Sequence, residues 1–408
     1  MIILHVNKFF DLFGGTETVL HETIAHQRVA GHTVHVFSTN ASGNLPSDDA
    51  RFFVTRYNEA IQEGLAKDVK KGIAVIWNRE AKRAIARMLV EIRPDVVHLH
   101  NIYHHLSTSI LDPIRRAKIP CVQTLHDYKL ACPNYRMFTE GSPCERCKGG
   151  RYSEAVKHHC LTSFAAGNIL AMMEMGFTKM LQSYERTVNV FICPSQFMRE
   201  KMIAWGEPSS KMMVIPNAVE LPIDMAARDG GYFFAAGRLS REKGIEPLLR
   251  AMARVPQIHL KIAGTGPEEP RLRSLAVSLG ASNVEFLGFV RKAERQDVLS
   301  HASALVHPSI SYDNAPLTVL EAMAMGLPIL GSRIGGIPEQ IEEGINGFLV
   351  EPGNVEAWAD ALKRFISLSS ADQSRLAIAS RDRAARLFSW DMHLAKIEEA
   401  YRIAGAGG

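Results

Sequence analysis

Cysteine, long apolar runs and excess charge of either sign are all scarce in this 408-residue chain, and each shortage removes a class of protein. Six cysteines in such a length are no disulfide framework. No stretch approaches the ~20 apolar residues that a membrane-spanning helix needs. Lys and Arg total 47 against 43 acids, a formal +4. That surplus is too small for nucleic-acid binding, which needs a concentrated basic face, and no basic cluster interleaved with aromatics appears. Low-complexity tracts and short tandem repeats are missing too. What is there is 46% apolar and 22% charged, the mix of a globular protein with a large core, and the length predicts two or three domains at ~100–200 residues each. The opening, MIILHVNKFF, lacks a basic leader and a cleavage pattern, so a first strand and a cytoplasmic location are expected.

Short aliphatic or β-branched runs alternate with helical patterns along almost the whole chain, the signature of parallel sheets covered by helices on both faces. Strands are predicted at Ile2 to Asn7, Thr33 to Thr39, Asp95 to His100 and Pro120 to His126, with helices near Thr16 to Ala30 and Gly72 to Glu91. A second series follows Pro216 and Asn217: Tyr232 to Ala236, Ile258 to Ala263, Val284 to Leu287, Ala304 to His307 and Pro328 to Gly331. Helices starting near Pro247, Pro270 and Pro316 fit the preference of proline for the first helical turn. The fold class is therefore α/β, two Rossmann-like doubly wound parallel-sheet domains facing across a cleft. The boundaries fall at 1–215, 216–387 and 388–408, the last a helix whose apolar stripe of Trp390, Leu394, Ile397 and Tyr401 must dock elsewhere. Ligands of such sheets sit at the carboxyl ends of the strands.

Three motifs cluster at those ends. Gly14-Gly15-Thr16-Glu17 opens the first helix, where glycines admit a ligand close to the backbone and the helix N-terminus favours an anion; a plain strand-to-helix turn explains it equally, since G-x-G-x-x-G is absent. Gly237 to Gly244, GRLSREKG, brings Arg238 and Lys243 to the end of a strand, two cations able to neutralise a diphosphate, or else a solvated basic turn. The third runs from Pro308 to Gly326. In it Asn314 is expected to cap a helix begun by Pro316, leaving the amides of Ala315, Leu317 and Thr318 for an anion. Asp313 precedes that helix and Glu321 lies inside it beside Leu320, Ala322 and Met323, a setting poorly explained by solvation alone.

In this order and on these elements the motifs resemble the retaining glycosyltransferases of the GT-B fold, the glycogen-synthase-like family 4. The likeness extends over the whole chain, including Ile215-Pro216-Asn217-Ala218-Val219, Ile262-Ala263-Gly264-Thr265-Gly266-Pro267 and Leu287-Gly288-Phe289-Val290. The resemblance implies a nucleoside diphosphate sugar as donor substrate, with no cofactor and no metal required. It implies that Arg238 and Lys243 hold the diphosphate, that Glu321 takes the ribose hydroxyls, and that the backbone near Val290 meets the base. Gly14 and Gly15 would contact diphosphate or acceptor from the opposite domain. Asn217, Gly264, Asn314, Ala315, Pro316, Leu317 and Thr318 would line the donor site. Asp313 takes the first place of the family's acid-x7-Glu pair, and His126 that of its active-site histidine; a hydrogen-bonded core histidine is the other reading. The first acid of the pair is usually Glu, and Asp313 is shorter by about one C–C bond, ~1.5 Å.

The implied reaction transfers a hexosyl unit to a saccharide or lipid-linked hydroxyl acceptor in cell-surface polysaccharide or glycolipid synthesis, at the inner face of the membrane. A sugar-nucleotide epimerase of the same fold and a non-catalytic nucleotide-sugar-binding module are the competing readings. Cys132, Cys144, Cys147 and Cys160, with one C-x2-C, fit a structural zinc site or plain thiols alike. The Met-rich stretch Phe164 to Phe177 suits a partly buried helix or a peripheral membrane contact.

Overall fold

The computed structural model describes residues 1–12, 14–56 and 72–406. Its strands are β1 (Ile2–Val6), β2 (Thr33–Phe37), β3 (Thr39–Asn40), β4 (Val54–Thr55), β5 (Val96–Leu99), β6 (Cys121–Thr124), β7 (Phe138–Thr139), β8 (Ser142–Pro143), β9 (Val190–Cys193), β10 (Met212–Val214), β11 (Tyr232–Ala236), β12 (His259–Ala263), β13 (Val284–Gly288), β14 (Ala304–His307), β15 (Ile329–Ser332) and β16 (Gly347–Val350). Two parallel sheets carry the molecule, one ordered β10-β9-β6-β5-β1-β2 and the other β13-β12-β11-β14-β15-β16. Parallel neighbours need a crossover to cover the sheet, which is why strands and helices alternate in the sequence.

Every strand predicted in the two series is present, most with ends shifted by a residue or two. In the two main sheets the sequence reading missed β9, β10 and β16, which lie at sheet edges or beside them, and it also missed the two-residue strands β4, β7 and β8. The helix expected from Gly72 is broken at 77–78 and continues as Arg79–Ile92, because the Asn78 side chain turns back to accept from the amide of Ala81 at 3.0 Å.

Helix Ser370–Leu387 packs on the second sheet through Leu376 and Ala384, after which the chain crosses back. The final helix, Trp390–Ala406, lays Ile397, Ala400, Tyr401 and Ala404 against Ile3, Val96, Val122, Val190 and Ile192 of the first sheet. Leu394 of the predicted stripe is only half-buried. His393 takes the inward place, donating from Nδ1 to the carbonyl of Pro216 at 2.7 Å and so tying the helix to the link between the sheets. No described helix is long and apolar enough to cross a membrane.

Candidate active site

The carboxyl ends of β11 and β14 supply the charged centre. The backbone leaves β11 through Gly237, and a short helical turn, Arg241–Lys243, aims Lys243 at Asp313. Lys243 Nζ donates to both carboxylate oxygens, at 2.8 and 2.9 Å, and His307 Nε2, on the last residue of β14, donates to Oδ2 at 2.9 Å. Burial by itself would raise the pKa of Asp313, but the Lys243 charge and the His307 hydrogen bond outweigh it and hold the carboxyl well below the usual range. Arg238 is exposed beside this cluster, and its guanidinium makes no ion pair or hydrogen bond with the described residues. Gly237, Arg238, Leu239, Lys243, His307 and Pro308 line a hollow at the strand ends.

Glycines pack the turns around it. Gly264 has φ +140° and a Cβ there would lie 1.9 Å from the carbonyl oxygen of Gly237, so the donor-site role expected of Gly264 comes with a structural one. Gly336, which the sequence reading passed over, lies under the acidic loop: its amide donates to Asp313 O at 2.7 Å, and a Cβ would stand 1.7 Å from Asn314 O. Gly336→Ala is expected to destabilise the protein by about 1–3 kcal/mol and to weaken ligand binding by shifting the 313–314 loop, read by thermal melting and by titration.

Asn314 is not the helix cap. Helix Leu317–Ala324 is preceded by Pro316 with no side-chain cap, and Asn314 Nδ2 instead reaches the other lobe, donating to the carbonyl of His126 at 3.1 Å. Asn217 Nδ2 donates to Ala315 O at 3.2 Å. With no cap above them, the amides of Ala315, Leu317 and Thr318 have no acceptor among the described residues, which leaves them open to an anion. Glu321 is half-buried and bonded by Arg295, at 2.8 and 3.0 Å. Arg295 sits 26 residues away on another helix, and no local signal could have found it. Both carboxylates are therefore paired with side chains of this protein, Asp313 with Lys243 and His307 and Glu321 with Arg295. Val290 is half-buried against the cluster that holds Val319 and Leu320.

The first lobe closes over this loop. A Cβ on Gly15 would lie 3.9 Å from the Leu317 side chain, and the amides of Gln196 and Phe197 both donate to the Glu339 carboxylate at 2.7 Å. Glu17 complicates the anion site expected at Gly14 and Gly15. Its buried carboxylate folds back over Gly14 and accepts from Asn7 at 3.1 Å, which disfavours phosphate and favours hydroxyl donors there. His126 lies at the end of β6, bonded through Nε2 to His100 at 2.8 Å, with burial pushing its pKa down to about 3.

The four cysteines that fit a zinc site or plain thiols alike form no disulfide and lie around the β7–β8 hairpin, with Cys132 Sγ donating to Asn134 Oδ1 at 2.9 Å. Among the described residues the set of three potential ligand atoms within 4.8 Å of one another is His5, His98 and His100, and these cysteines form no such set. A cavity of about 350 Å³ on the outer side of the GRLSREKG turn is lined in part by Glu246, Arg250 and Arg271, which pair with one another.

Residues 13–221 match the model of Glycosyltransferase Family 4, and residues 226–383 that of Glycosyl transferases group 1. An uncharacterised glycosyltransferase of Methanocaldococcus jannaschii is 28% identical over 330 residues, 76% of this chain and 75% of that protein. A D-inositol 3-phosphate glycosyltransferase of Corynebacterium urealyticum is 35% identical over 196 residues, 45% of this chain and 44% of that protein, so less than half its length is matched. Among solved structures, sucrose-phosphate synthase of Thermosynechococcus elongatus superposes with a TM-score of 0.73 at 19% identity over 100% of both chains. The Anabaena HepE structure with UDP and glucose gives 0.67 at 18% identity, over 97% of this chain and 98% of that one. The two facing sheets and the returning helix are thus the GT-B architecture. With the Family 4 model alone covering just over half of its length, the chain belongs to the group 1 glycosyltransferases of family 4 and is a glycosyltransferase.

Proposed function

We propose that this glycosyltransferase moves a hexosyl unit from a nucleoside diphosphate sugar to a hydroxyl acceptor, with retention at the anomeric carbon. The observation that carries the reading is the Lys243–Asp313–His307 cluster beside the Arg238 side chain, which has no partner among the described residues, at strand ends closed over by the other lobe. In the proposed step the acceptor oxygen bonds to the anomeric carbon on the face from which the phosphate leaves, the sugar–phosphate bond breaks, and the acceptor's proton passes to a leaving phosphate oxygen. Arg238, Lys243 and the first-turn amides of Leu317 and Thr318 meet the charge that develops, so the reading needs no metal ion or other cofactor. The HepE structure, with UDP and glucose, supports a donor of this class, and the inositol 3-phosphate relative supports a polyol or saccharide acceptor.

A role in cell-surface polysaccharide or glycolipid synthesis belongs to the same proposal, with a lipid-linked acceptor met at the membrane's inner face. Phe164, Ile169, Met173 and Met180 are exposed on or beside helix Ala165–Met180, a surface suited to peripheral contact.

A thermal-shift screen across nucleotide sugars tests the reading: one donor raises the melting temperature, because binding to the folded state alone stabilises it. That donor should then glycosylate a hydroxyl acceptor with retained anomeric configuration, seen by proton NMR. Epimerisation of the free nucleotide sugar without acceptor would select the epimerase instead, and binding without any turnover the non-catalytic module. Glu321→Ala is expected to raise the donor KM about tenfold, the loss of ~1.4 kcal/mol of ribose binding, with kcat little changed. An unchanged donor KM would remove Glu321 from the ribose.

A further inference from the structure

Four histidines form a continuous chain behind the site, on the sheet face that the last helix covers. His5 on β1 and His98 on β5 are register partners, and His100 and His126 follow beyond the ends of β5 and β6. Two-residue alternation puts them on the face that carries Ile3, Val96 and Val122. The rings of His98 and His100 stack at 4.5 Å, and those of His100 and His126 at 5.1 Å.

The hydrogen bonds run without a break. His126 Nε2 meets His100 Nδ1 at 2.8 Å, His100 Nε2 meets His5 Nδ1 at 3.0 Å, and His5 Nε2 meets Gln27 Oε1 at 2.7 Å. Gln27 Nε2 donates to the Tyr401 hydroxyl at 2.9 Å, that hydroxyl meets His98 Nδ1 at 2.7 Å, and His98 Nε2 meets Thr124 Oγ1 at 2.8 Å. The spacing of His5, His98 and His100 would admit a metal ion. Yet all six of their ring nitrogens are already bonded, and an ion would have to break several of those bonds in a core that offers no carboxylate at that point.

A neutral imidazole has one N–H and one lone pair, so placing one proton in the chain places all of them. Burial pushes His126 down to about 3 and His5 to about 4, and His98 and His100 well below their usual value, so the rings are neutral. Two directions satisfy every atom, and the geometry separates them. In the reverse direction the Gln27 amide is turned and donates N–H to a lone pair on His5 at 2.7 Å, short for an N–H···N contact, whereas 2.7 Å suits N–H···O. The forward direction also matches the phenol, the strongest donor present, with an imidazole lone pair at 2.7 Å. Forward, Tyr401 donates to His98, Gln27 to Tyr401, His5 to Gln27, His100 to His5 and His126 to His100.

We propose that Gln27 and Tyr401, acting through His5 and His100, hold His126 as its Nε2–H tautomer, so that Nδ1 stands at the interlobe cleft as an acceptor for a hydroxyl of the bound sugar. His126 is half-buried, and its Nδ1 has no partner among the described residues. The Asn314 bond to the His126 carbonyl fixes the backbone that carries it. A lone pair there repels phosphate oxygens and attracts O–H groups. Gln27, Tyr401, His5 and His100 are positioning residues, since none of them needs to touch the ligand. The ligand assignment rests on the nucleotide-sugar reading; the tautomer does not.

Long-range proton–nitrogen NMR of the full chain with 15N-labelled histidine rings tests both parts, with the His126 signals assigned by their loss in His126→Asn. A single Nε2–H pattern is expected, and an Nδ1–H pattern overturns the proposal. Gln27→Met and, separately, Tyr401→Phe remove the group that sets the direction and should turn that pattern into a mixture of tautomers. If at least one variant melts as a folded protein and His126 stays purely Nε2–H in it, the relay does not set the tautomer. With about half of the molecules presenting the wrong atom, kcat/KM should fall about twofold in the mixed variant. UDP-glucose should move the Nδ1 resonance where UDP alone does not. A donor that binds without moving it overturns the hydroxyl contact, whereas failure of every nucleotide sugar to bind, with the tautomer as expected, counts against the functional proposal and not against the relay.

Discussion

Lys243→Ala is expected to lower transfer by ~10²–10³-fold or more, the usual cost of removing one group that meets charge developing in a transition state. The same change should also lower the melting temperature. Lys243 holds both oxygens of Asp313, and removing it leaves a carboxylate only 19% exposed, with His307 as its one remaining side-chain partner among the described residues. Losing one partner of a fully buried pair costs ~3–5 kcal/mol; with 28% of the Lys243 side chain exposed, about 2 kcal/mol is expected here. Two further measurements separate the effects. In Lys243→Met with Asp313→Leu, the unpaired charge is gone, so stability should recover while transfer does not. On acidification, the folded Asp313 carboxyl has a pKa below the unfolded value of ~3.9, so the pair's contribution is complete above about pH 4 and is lost as the pH falls toward the folded value. The gap in melting temperature between wild type and Lys243→Ala should therefore narrow below about pH 4. A folded variant with near-normal turnover would remove Lys243 from the reaction.

Arg238→Ala should separate the two effects from the opposite side. Arg238 is exposed and has no partner in the described structure, so its loss should shift stability by no more than ~0.5 kcal/mol. If it waits for the donor diphosphate, kcat/KM should still fall by ~10²-fold, since hydrogen bonds from a guanidinium to a phosphate are among the strongest available. Arg238→Lys should recover only part, because an ammonium keeps the charge but not the two-pronged geometry. Equal activity in wild type and Arg238→Ala would leave the turn as a solvated basic loop. A large loss of stability would mean that Arg238 has a structural partner.

Much of the arrangement was legible because it is local. Tyr232–Ala236 and Ala304–His307 are short apolar runs bounded by turn residues, and both strands end where the pattern ends. Gly237 and Gly244 mark a turn between strand and helix, and both have positive φ. Asn314 shows where local reasoning failed. An Asn two residues before a helix-starting proline is a good cap by composition, but the carbonyl of His126, 188 residues away, offers its amide a partner across the cleft. The stripe on the final helix failed in a smaller way. Leu394 and His393 compete for the inward position, and the carbonyl of Pro216 decides for the histidine.

The sequence by itself determined which segments are strand, turn and helix, and that cationic and acidic turns would come to the carboxyl ends of parallel strands, because backbone preference and apolar period act between near neighbours. The tertiary structure alone decided which groups meet: Lys243 with Asp313 over 70 residues, Arg295 with Glu321 over 26, and Gln27 with Tyr401 over 374. A charge or a ring nitrogen takes whichever partner the packed sheets leave within ~3 Å, and that choice is made by strand order and by the return of the last helix, neither of which is written in any local stretch of the chain.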